Sequence, residues 1–143
     1  MFCCLECVPG LCKQAFGIQE ISMESPDDLA RHWIQENDPL FHADTSNFYS
    51  CDTKHVDAAY EFVFSSIAMM MENVDAHTRS YLILPNFVPT SATSFEKFAT
   101  EVENILKTIP SSLSSMTMTT FHPEHISTKD RCDVPVFVLQ KKE

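Results

Sequence analysis

The sequence predicts an α+β domain in which helices cover a small sheet. Three observations support this class. Residues 54–75 and 93–109 each repeat apolar side chains with the period of a helix. Residues 81–84 form a short, wholly apolar run that ends at Pro85, which is typical of a buried strand. Residues 116–121 begin with alternating methionine and threonine, which is typical of a strand with one buried face.

The length of the chain, 143 residues, is typical of one domain, and we predict a single domain over 1–143. A domain of this size can bury a core without a disulfide or a metal ion. Hydrophobic residues make up 44% of the chain, the share found in ordinary globular proteins. Only two residues are glycine, so the sequence offers no glycine-rich loop for a nucleotide.

The chain is acidic, with a formal net charge of −10. Because such a charge repels phosphate backbones and the only adjacent basic pair is Lys141-Lys142, we predict no nucleic-acid partner. No apolar run approaches the roughly 20 residues of a membrane-spanning helix, so we predict no transmembrane segment. The simplest role of the acidity is solubility, and the alternative is the steering of a basic partner.

Six residues are cysteine, and four of them lie within the first 12 positions. The N-terminus lacks the basic region of a secretory signal, so we predict an intracellular protein with reduced thiols, in a compartment that the sequence leaves open. Cys4 and Cys7 have the C-x2-C spacing of a zinc site. The second pair of ligands that a closed site needs is not next to them, so it would have to come from Cys12, His122, His125 or Cys132. Structural thiols are the simpler interpretation.

Residues 16–23 are typical of a strand, and a helix is predicted to follow them. Ser25 is suited to cap that helix, and Pro26 is suited to its first position. The helix is predicted to end by Asn37, because a proline follows shortly and disfavours helical geometry before it. Residues 38–53 are predicted to be an inserted loop whose aromatic residues pack down or, where exposed, contact a partner.

The longest helix is predicted over 54–75, where Tyr60, Val63 and Ile67 fall on one continuous face. Further aromatic and methionine residues widen this apolar arc beyond what one buried face needs. We therefore predict that the helix is covered on two sides or that part of it contacts another chain. The predicted contact residues, here and in the inserted loop, are Phe41, Phe48, Tyr49, Met69, Met70 and Met71.

The C-terminal half completes the order of elements. Thr93 and Glu96 have the spacing of a capping box for a third helix. The predicted inner stripe of that helix consists of Phe95, Phe98, Val102, Ile105 and Ile109. Strand 116–121 follows, and a polar loop leads to a last strand over 134–140. The order strand, helix, helix, strand, helix, strand, strand fits a ferredoxin-like two-layer sandwich, with a four-stranded sheet and three helices on one face.

The end of the third strand is where strand pattern, a proline and titratable side chains coincide. His122 and His125 lie there, three positions apart, with Pro123 between them. Together with Cys12 or Cys132, the two histidines are candidate ligands of a zinc ion, and no other cofactor is predicted. The alternative is that His122 closes the strand end by hydrogen bonding and that His125 is solvated.

Residues 121–124, Phe-His-Pro-Glu, resemble the Phe-His-Pro-Asp stretch of a mostly bacterial family known as domain of unknown function 1415. Residues 130–135 align without gaps with Asn-Arg-Ser-Pro-Tyr-Pro of that family. Gly10-Leu11-Cys12 resembles its Asn-Leu-Cys-Pro-Phe near the N-terminus. The order of elements is similar over most of the chain. The family has no established activity, so the resemblance implies a fold and a set of shared residues.

The residues shared with that family are Cys12, His122 and Arg131. The resemblance implies a site in which Cys12 beside His122 is a nucleophile and Arg131 holds an anion. The chain departs from the family at neighbouring positions: Lys13 replaces a proline, and Asp130 replaces an amide. These changes predict that the ancestral site has degenerated.

We therefore predict a non-catalytic accessory or structural subunit of a larger protein assembly, with other protein subunits as its partners and a degenerate ancestral site. The alternative is a thiol- or metal-dependent enzyme that uses Cys12 and His122. That enzyme requires the Cys12 thiol and the His122 ring to lie within about 4 Å of each other in a concave pocket.

Overall fold

A computed structural model describes residues 25–72, 78–108 and 116–141 of the chain. The helices there are α1 (Pro26–Asn37), α2 (Val56–Glu72) and α3 (Ala92–Leu106). The strands are β1 (Ser46–Ser50), β2 (Arg79–Ile83), β3 (Met116–Phe121) and β4 (Val136–Lys141), and a 3-10 turn spans Thr128–Asp130. The predicted α+β class, with three helices and a four-stranded sheet, is confirmed for these residues, while the predicted strand 16–23 lies outside them.

The four strands form one open, mixed sheet in the order β1-β2-β4-β3. β1 is parallel to β2, and β4 is antiparallel to both of its neighbours. The register places Tyr81 of β2 opposite Val138 of β4, which in turn lies opposite Thr119 of β3. This arrangement is consistent with a ferredoxin-like sandwich, with β1 added in parallel at one edge.

Strand β1 corrects the prediction that residues 38–53 are a loop. The polar composition of this stretch favours a loop. Phe48 and Tyr49, however, are consecutive residues of a strand and point to opposite faces of the sheet. Phe48 packs against the cluster beneath α1, and Tyr49 packs against the cluster beneath α2 and α3. Burial on both faces therefore outweighs the composition.

The helices cover both faces of the sheet, whereas the sequence predicted all three on one face. α2 and α3 pack against the face with Leu82 and Leu84, here called the helix-pair face. α1 packs against the face with Tyr81 and Ile83, here called the α1 face. Every residue of β2 is buried, so the sheet needs cover on both sides, and α1 provides it on the second.

The predicted limits of α1 are confirmed. The Ser25 side chain accepts a hydrogen bond from the N–H of Asp28 at 3.2 Å, and Pro26 occupies the start of the helix. The helix ends at Asn37, and the next residue, Asp38, has extended backbone. Local capping chemistry therefore sets the start of this helix, and Pro39 disfavours helical geometry at its end.

The limits of α3 differ from the prediction. Ser91, rather than Thr93, is the N-cap, and its hydroxyl accepts a hydrogen bond from the N–H of Ser94 at 3.1 Å. Ser91 is the last residue with extended backbone, so the helix begins directly after it. At the other end Leu106 is buried and Ile105 is 44% exposed, which corrects the predicted inner stripe. Its last member, at position 109, lies outside the described residues.

The predicted helix 54–75 is confirmed as α2, which begins at Val56, two residues later than predicted, and residues 73–75 lie outside the described part. Its buried stripe contains Val63, Ile67 and Met70, each at most 4% exposed. Met69 and Met71 are 54% and 43% exposed. The methionine run is therefore divided, because Met70 fills the core whereas its two neighbours lie at the surface.

Candidate functional site

His122, the candidate at the end of β3, is fully buried. The N–H of Glu124 donates to its Nδ1 at 3.0 Å, so Nδ1 is an acceptor and the ring proton lies on Nε2. The Nε2–H group donates in turn to the carbonyl oxygen of Val88 at 2.8 Å. The ring packs against Phe95 of α3, with 5.5 Å between the two centroids. Both nitrogens therefore join the end of β3 to backbone groups of neighbouring loops.

Val88 has a backbone conformation that valine rarely adopts. Its φ of 41° is the only positive φ of a non-glycine residue in the described ranges. For a β-branched residue this left-handed region costs on the order of 1–3 kcal/mol. The hydrogen bond from His122 fixes the carbonyl of this residue, and its side chain packs against the core of the helix-pair face. His122 is thus placed to stabilise a strained loop between β2 and α3.

His125 has partners separate from those of His122. Its Nδ1 accepts a hydrogen bond from the N–H of Ser127 at 3.0 Å, and its Nε2 lies 3.4 Å from Oε2 of Glu96 on α3. The side chain is only 15% exposed, so the ring is largely buried, which differs from the solvated His125 of the alternative to a zinc site. Nε of Arg131 donates to the carbonyl oxygen of His125 at 2.6 Å. Arg131 therefore supports the turn that follows β3.

The cysteine candidates do not complete a site within the described residues. Cys132 is 1% exposed and packs in the core of the α1 face. Burial raises the pKa of its thiol to about 11, which disfavours the thiolate that a metal ligand or a nucleophile needs. Cys12, the expected neighbour of His122, lies outside the described residues. Within the three described ranges, no three His, Cys, Asp or Glu side chains lie close enough to hold a metal ion.

A buried ion pair that the sequence analysis did not identify lies at the opposite end of the sheet. Nη2 of Arg79 lies 2.9 Å from Oδ2 of Asp38, and both side chains are at most 6% exposed. The hydroxyl of Tyr81 donates to the same oxygen at 2.6 Å, and Nη1 of Arg79 donates to Oε1 of Gln140 at 3.1 Å. Burial and the hydrogen bond to Asp38 raise the pKa of Tyr81 far above its ordinary value. The hydroxyl therefore remains a donor.

Two local signals in the sequence belong to this ion pair. Arg79 lies two positions before the apolar run that predicts β2, which is an unusual place for a charge. Asp38 directly follows α1. Its Oδ1 accepts a hydrogen bond from the N–H of Leu40 at 3.1 Å, which favours a turn over continuation of the helix. The two residues are 41 positions apart, and no periodic pattern connects them.

A groove of about 610 Å³ extends between these two polar regions. Asp38 and Arg79 line one part of it, and His125 and Glu96 line another. Thr119, Thr120 and Phe121 of β3 line it as well.

The groove reaches the edge strand β3. It touches three consecutive residues of this strand and extends across the sheet to Arg79 of β2. Within the described residues β3 is the last strand of the sheet and pairs with β4 alone. None of its six residues is charged. In the part of the chain that the structure describes, its outer edge therefore pairs with no other strand.

Comparison of the chain with protein-family models, with curated proteins and with solved structures found no match. The resemblance to domain of unknown function 1415 therefore stays a prediction. None of the described helices combines the length and the apolar character that crossing a membrane requires. The candidate site consists of the bond between His122 and Val88, the buried pair of Asp38 and Arg79, and the groove along the edge of β3.

Proposed function

We propose that this chain is a non-catalytic subunit of a larger protein assembly and that it binds its partner along the outer edge of β3. The observation that supports this most directly is the edge itself, six uncharged residues beside a groove of about 610 Å³. Proteins usually protect such an edge with charged residues, proline, a bulge or a covering element. Among the described residues, β3 has neither a charged residue nor a proline, and no further strand pairs with it. Strand addition takes place on such an edge.

The opposite edge of the sheet, formed by β1, is accompanied by charged side chains. The guanidinium carbon of Arg31 lies 5.0 Å from the centre of the Phe48 ring. Asp27 accepts a hydrogen bond from the hydroxyl of Ser50 at 2.8 Å. Both charged residues belong to α1, so this helix places charged side chains beside β1. The edge of β3 is therefore the better candidate for strand addition.

The contacts of His122 support a structural role over a catalytic one. A general base needs a ring nitrogen directed at its substrate, and a catalytic cysteine needs one directed at its thiol. Here one nitrogen of His122 faces the carbonyl of Val88, and the other faces the N–H of Glu124. We therefore assign His122 to the support of the loop before α3.

A charged residue on the edge of β3 tests the proposal. Thr119 is exposed, and a lysine in its place (Thr119→Lys) would oppose the addition of another strand. Asn47→Lys is the matched control, because Asn47 is an exposed strand residue on the opposite edge. The wild type and both variants are compared by size-exclusion chromatography in native extract, beside the purified chain of 16.3 kDa.

We expect the wild type and Asn47→Lys to elute at the size of an assembly, and the assembled share of Thr119→Lys to fall by about tenfold. Thermal unfolding of the purified variants checks that both fold as the wild type does. The proposal is contradicted by a wild-type chain that elutes as the free monomer. It is also contradicted by a Thr119→Lys variant that assembles like the control.

A further inference from the structure

We infer that the partner contributes an extended segment with alternating basic and apolar side chains, which adds to β3 as a further strand and places its basic side chains near Glu96 and Asp130. This inference rests on the proposed function and specifies the chemistry of the partner. It follows from the charge of the chain, from the two acidic residues in the groove, and from the exposed apolar residues that line it.

The charges in the groove favour a basic segment. Asp38 is neutralised by Arg79 in the buried ion pair. Glu96 and Asp130 remain, against the basic residue Lys129 and against His125, whose Nε2 lies 3.4 Å from Oε2 of Glu96. The side chain of Glu96 is 48% exposed and is therefore accessible to a ligand. The formal charge of −10 on the whole chain would attract a cationic segment from a distance and raise the rate of encounter.

The same charge disfavours a second copy of this chain as the occupant of the groove. Two copies would each bring a formal charge of −10 to the contact, and like charges oppose association. A partner of opposite charge avoids this repulsion and gains from the acidic residues of the groove. The charge of the chain therefore points to a different protein, with a basic segment.

Exposed apolar residues of the groove give the segment its second set of contacts. Ile126 is 88% exposed and Leu40 is 56% exposed, and both line the groove. Side chains of an extended segment alternate between two sides with a period of two residues. One set can therefore approach the acidic residues while the other set covers Leu40 and Ile126. β3 has six residues, a length of about 20 Å, so a segment of similar length can pair along all of it.

The test uses the full chain and a peptide of about eight residues in which lysine and valine alternate. A matched peptide has glutamate in place of lysine. Two further lysine–valine peptides have an N-methyl group on every second residue, one on the odd positions and one on the even positions. Only one of the two lacks the N–H groups that a paired strand donates. Binding is measured as protection from hydrogen exchange of those backbone amides of residues 116–121 that face away from β4.

We expect the lysine peptide to slow the exchange of these amides and the glutamate peptide to bind about tenfold more weakly. One phase of N-methylation should abolish the protection, and the other should preserve it. Thr119→Lys should lose the protection, and Asn47→Lys should keep it. The preference for lysine should shrink as salt is added, because exposed charges are screened.

Equal binding of the lysine and glutamate peptides would overturn the basic partner but leave the proposed function in place, because the edge would be occupied regardless of charge. Outward-facing amides of residues 116–121, those not bonded to β4, that already exchange slowly in the isolated chain would also overturn the inference. So would a doubling of its mass in solution. If no peptide gives protection but Thr119→Lys loses assembly, only the inference of an extended basic segment is rejected. If no peptide gives protection and Thr119→Lys assembles like the control, the proposed function is rejected as well.

Discussion

The two faces of the sheet are built differently. The helix-pair face is covered by aromatic and aliphatic side chains, among them Phe95 and Phe98 of α3. The α1 face has an apolar cluster and, at one end, the buried pair of Asp38 and Arg79 with the hydroxyl of Tyr81. Two helices can cover a face with apolar side chains alone. On the other face a single helix is present, and the ion pair joins the residue after that helix to β2.

This difference separates the interactions that stabilise the fold from the interaction that fixes the position of α1. Apolar burial stabilises the fold by roughly 25 cal/mol per Å². A buried ion pair must overcome the desolvation of both charges, so its presence is weak evidence for stability. The ion pair does specify position, because one oxygen of Asp38 accepts hydrogen bonds from both Arg79 and Tyr81. We expect it to fix where α1 ends over the sheet.

The largest effect is expected on removing one charge of this pair. Asp38→Ala leaves the guanidinium of Arg79 buried without its carboxylate, and it should lower the free energy of unfolding by about 3–5 kcal/mol. The double variant Asp38→Leu/Arg79→Met removes both charges and should cost less than Asp38→Ala alone. Urea unfolding followed by circular dichroism measures both values.

A double variant that is as unstable as Asp38→Ala, or more so, would show that the pair itself stabilises the fold. The comparison of the two faces would then need revision, because the ion pair would act as a source of stability in the same way as apolar packing. Val138→Ala, in the apolar cluster of the α1 face, controls for the general sensitivity of that face to substitution.

A smaller effect is expected for Tyr81→Phe, which removes one hydrogen bond to a buried carboxylate and should cost about 1–3 kcal/mol. The pKa of Tyr81 is raised in the folded protein, chiefly by burial, so the unfolded chain loses its phenolic proton first. The stability that this group contributes is present below the unfolded pKa of about 10 and is lost as the pH rises above it. Stability should therefore fall more steeply above pH 10 in the wild type than in Tyr81→Phe, as measured by urea unfolding at a series of pH values.

Tyr60→Phe is the matched control on the helix-pair face. Tyr60 donates to Glu101 at 2.5 Å, and this hydrogen bond is the main cause that raises the pKa of Tyr60 to about 12. The ring is only half-buried, so water screens the interaction and the variant should change the pH profile less than Tyr81→Phe does. Identical profiles for the two variants would remove the distinction between the faces.

The smallest structural perturbation is chemical labelling of the two described cysteines, one on each face. Cys132 is 1% exposed on the α1 face, whereas Cys51 is half-buried and packs against the helix-pair core. Burial raises the pKa of Cys132 from 9.0 to about 11, which alone reduces its thiolate about a hundredfold at neutral pH. We expect N-ethylmaleimide to modify Cys51 in the folded protein and Cys132 only after unfolding, as followed by mass spectrometry of peptides. Equal rates for the two thiols would indicate that the α1 face opens readily.

Local patterns predicted the elements better than their arrangement. The helical period of α2 and the apolar run of β2 are visible in a short window of sequence, and both elements are present in the structure. The side of the sheet that α1 covers is not visible in this way, because an amphipathic stripe specifies that a face is buried but not what covers it. The contact of Trp33 with Phe121, at 4.9 Å between centroids, joins residues that are distant in the chain.

The same limit applies to the candidate site. His122 was predictable as the end of a strand, because a strand pattern and a proline meet there. Its partner Val88 was not, since the two residues are 34 positions apart and valine gives no sign of a positive φ. The buried charge of Arg79 was hidden for the same reason, because its carboxylate partner comes from a distant loop. Interactions between distant positions therefore account for what the sequence analysis missed.

Strand β4 is the last of the described strands to be synthesised, yet it lies between β2 and β3 in the sheet. A ribosome must therefore release the chain through residue 141 before the two parts of the sheet can join. During synthesis, β3 would lack the strand with which it pairs in the described sheet, a condition that exposes nascent chains to aggregation. Slow translation of the codons for β4 would prolong that interval, and a truncation before β4 would remove the strand that joins β2 to β3.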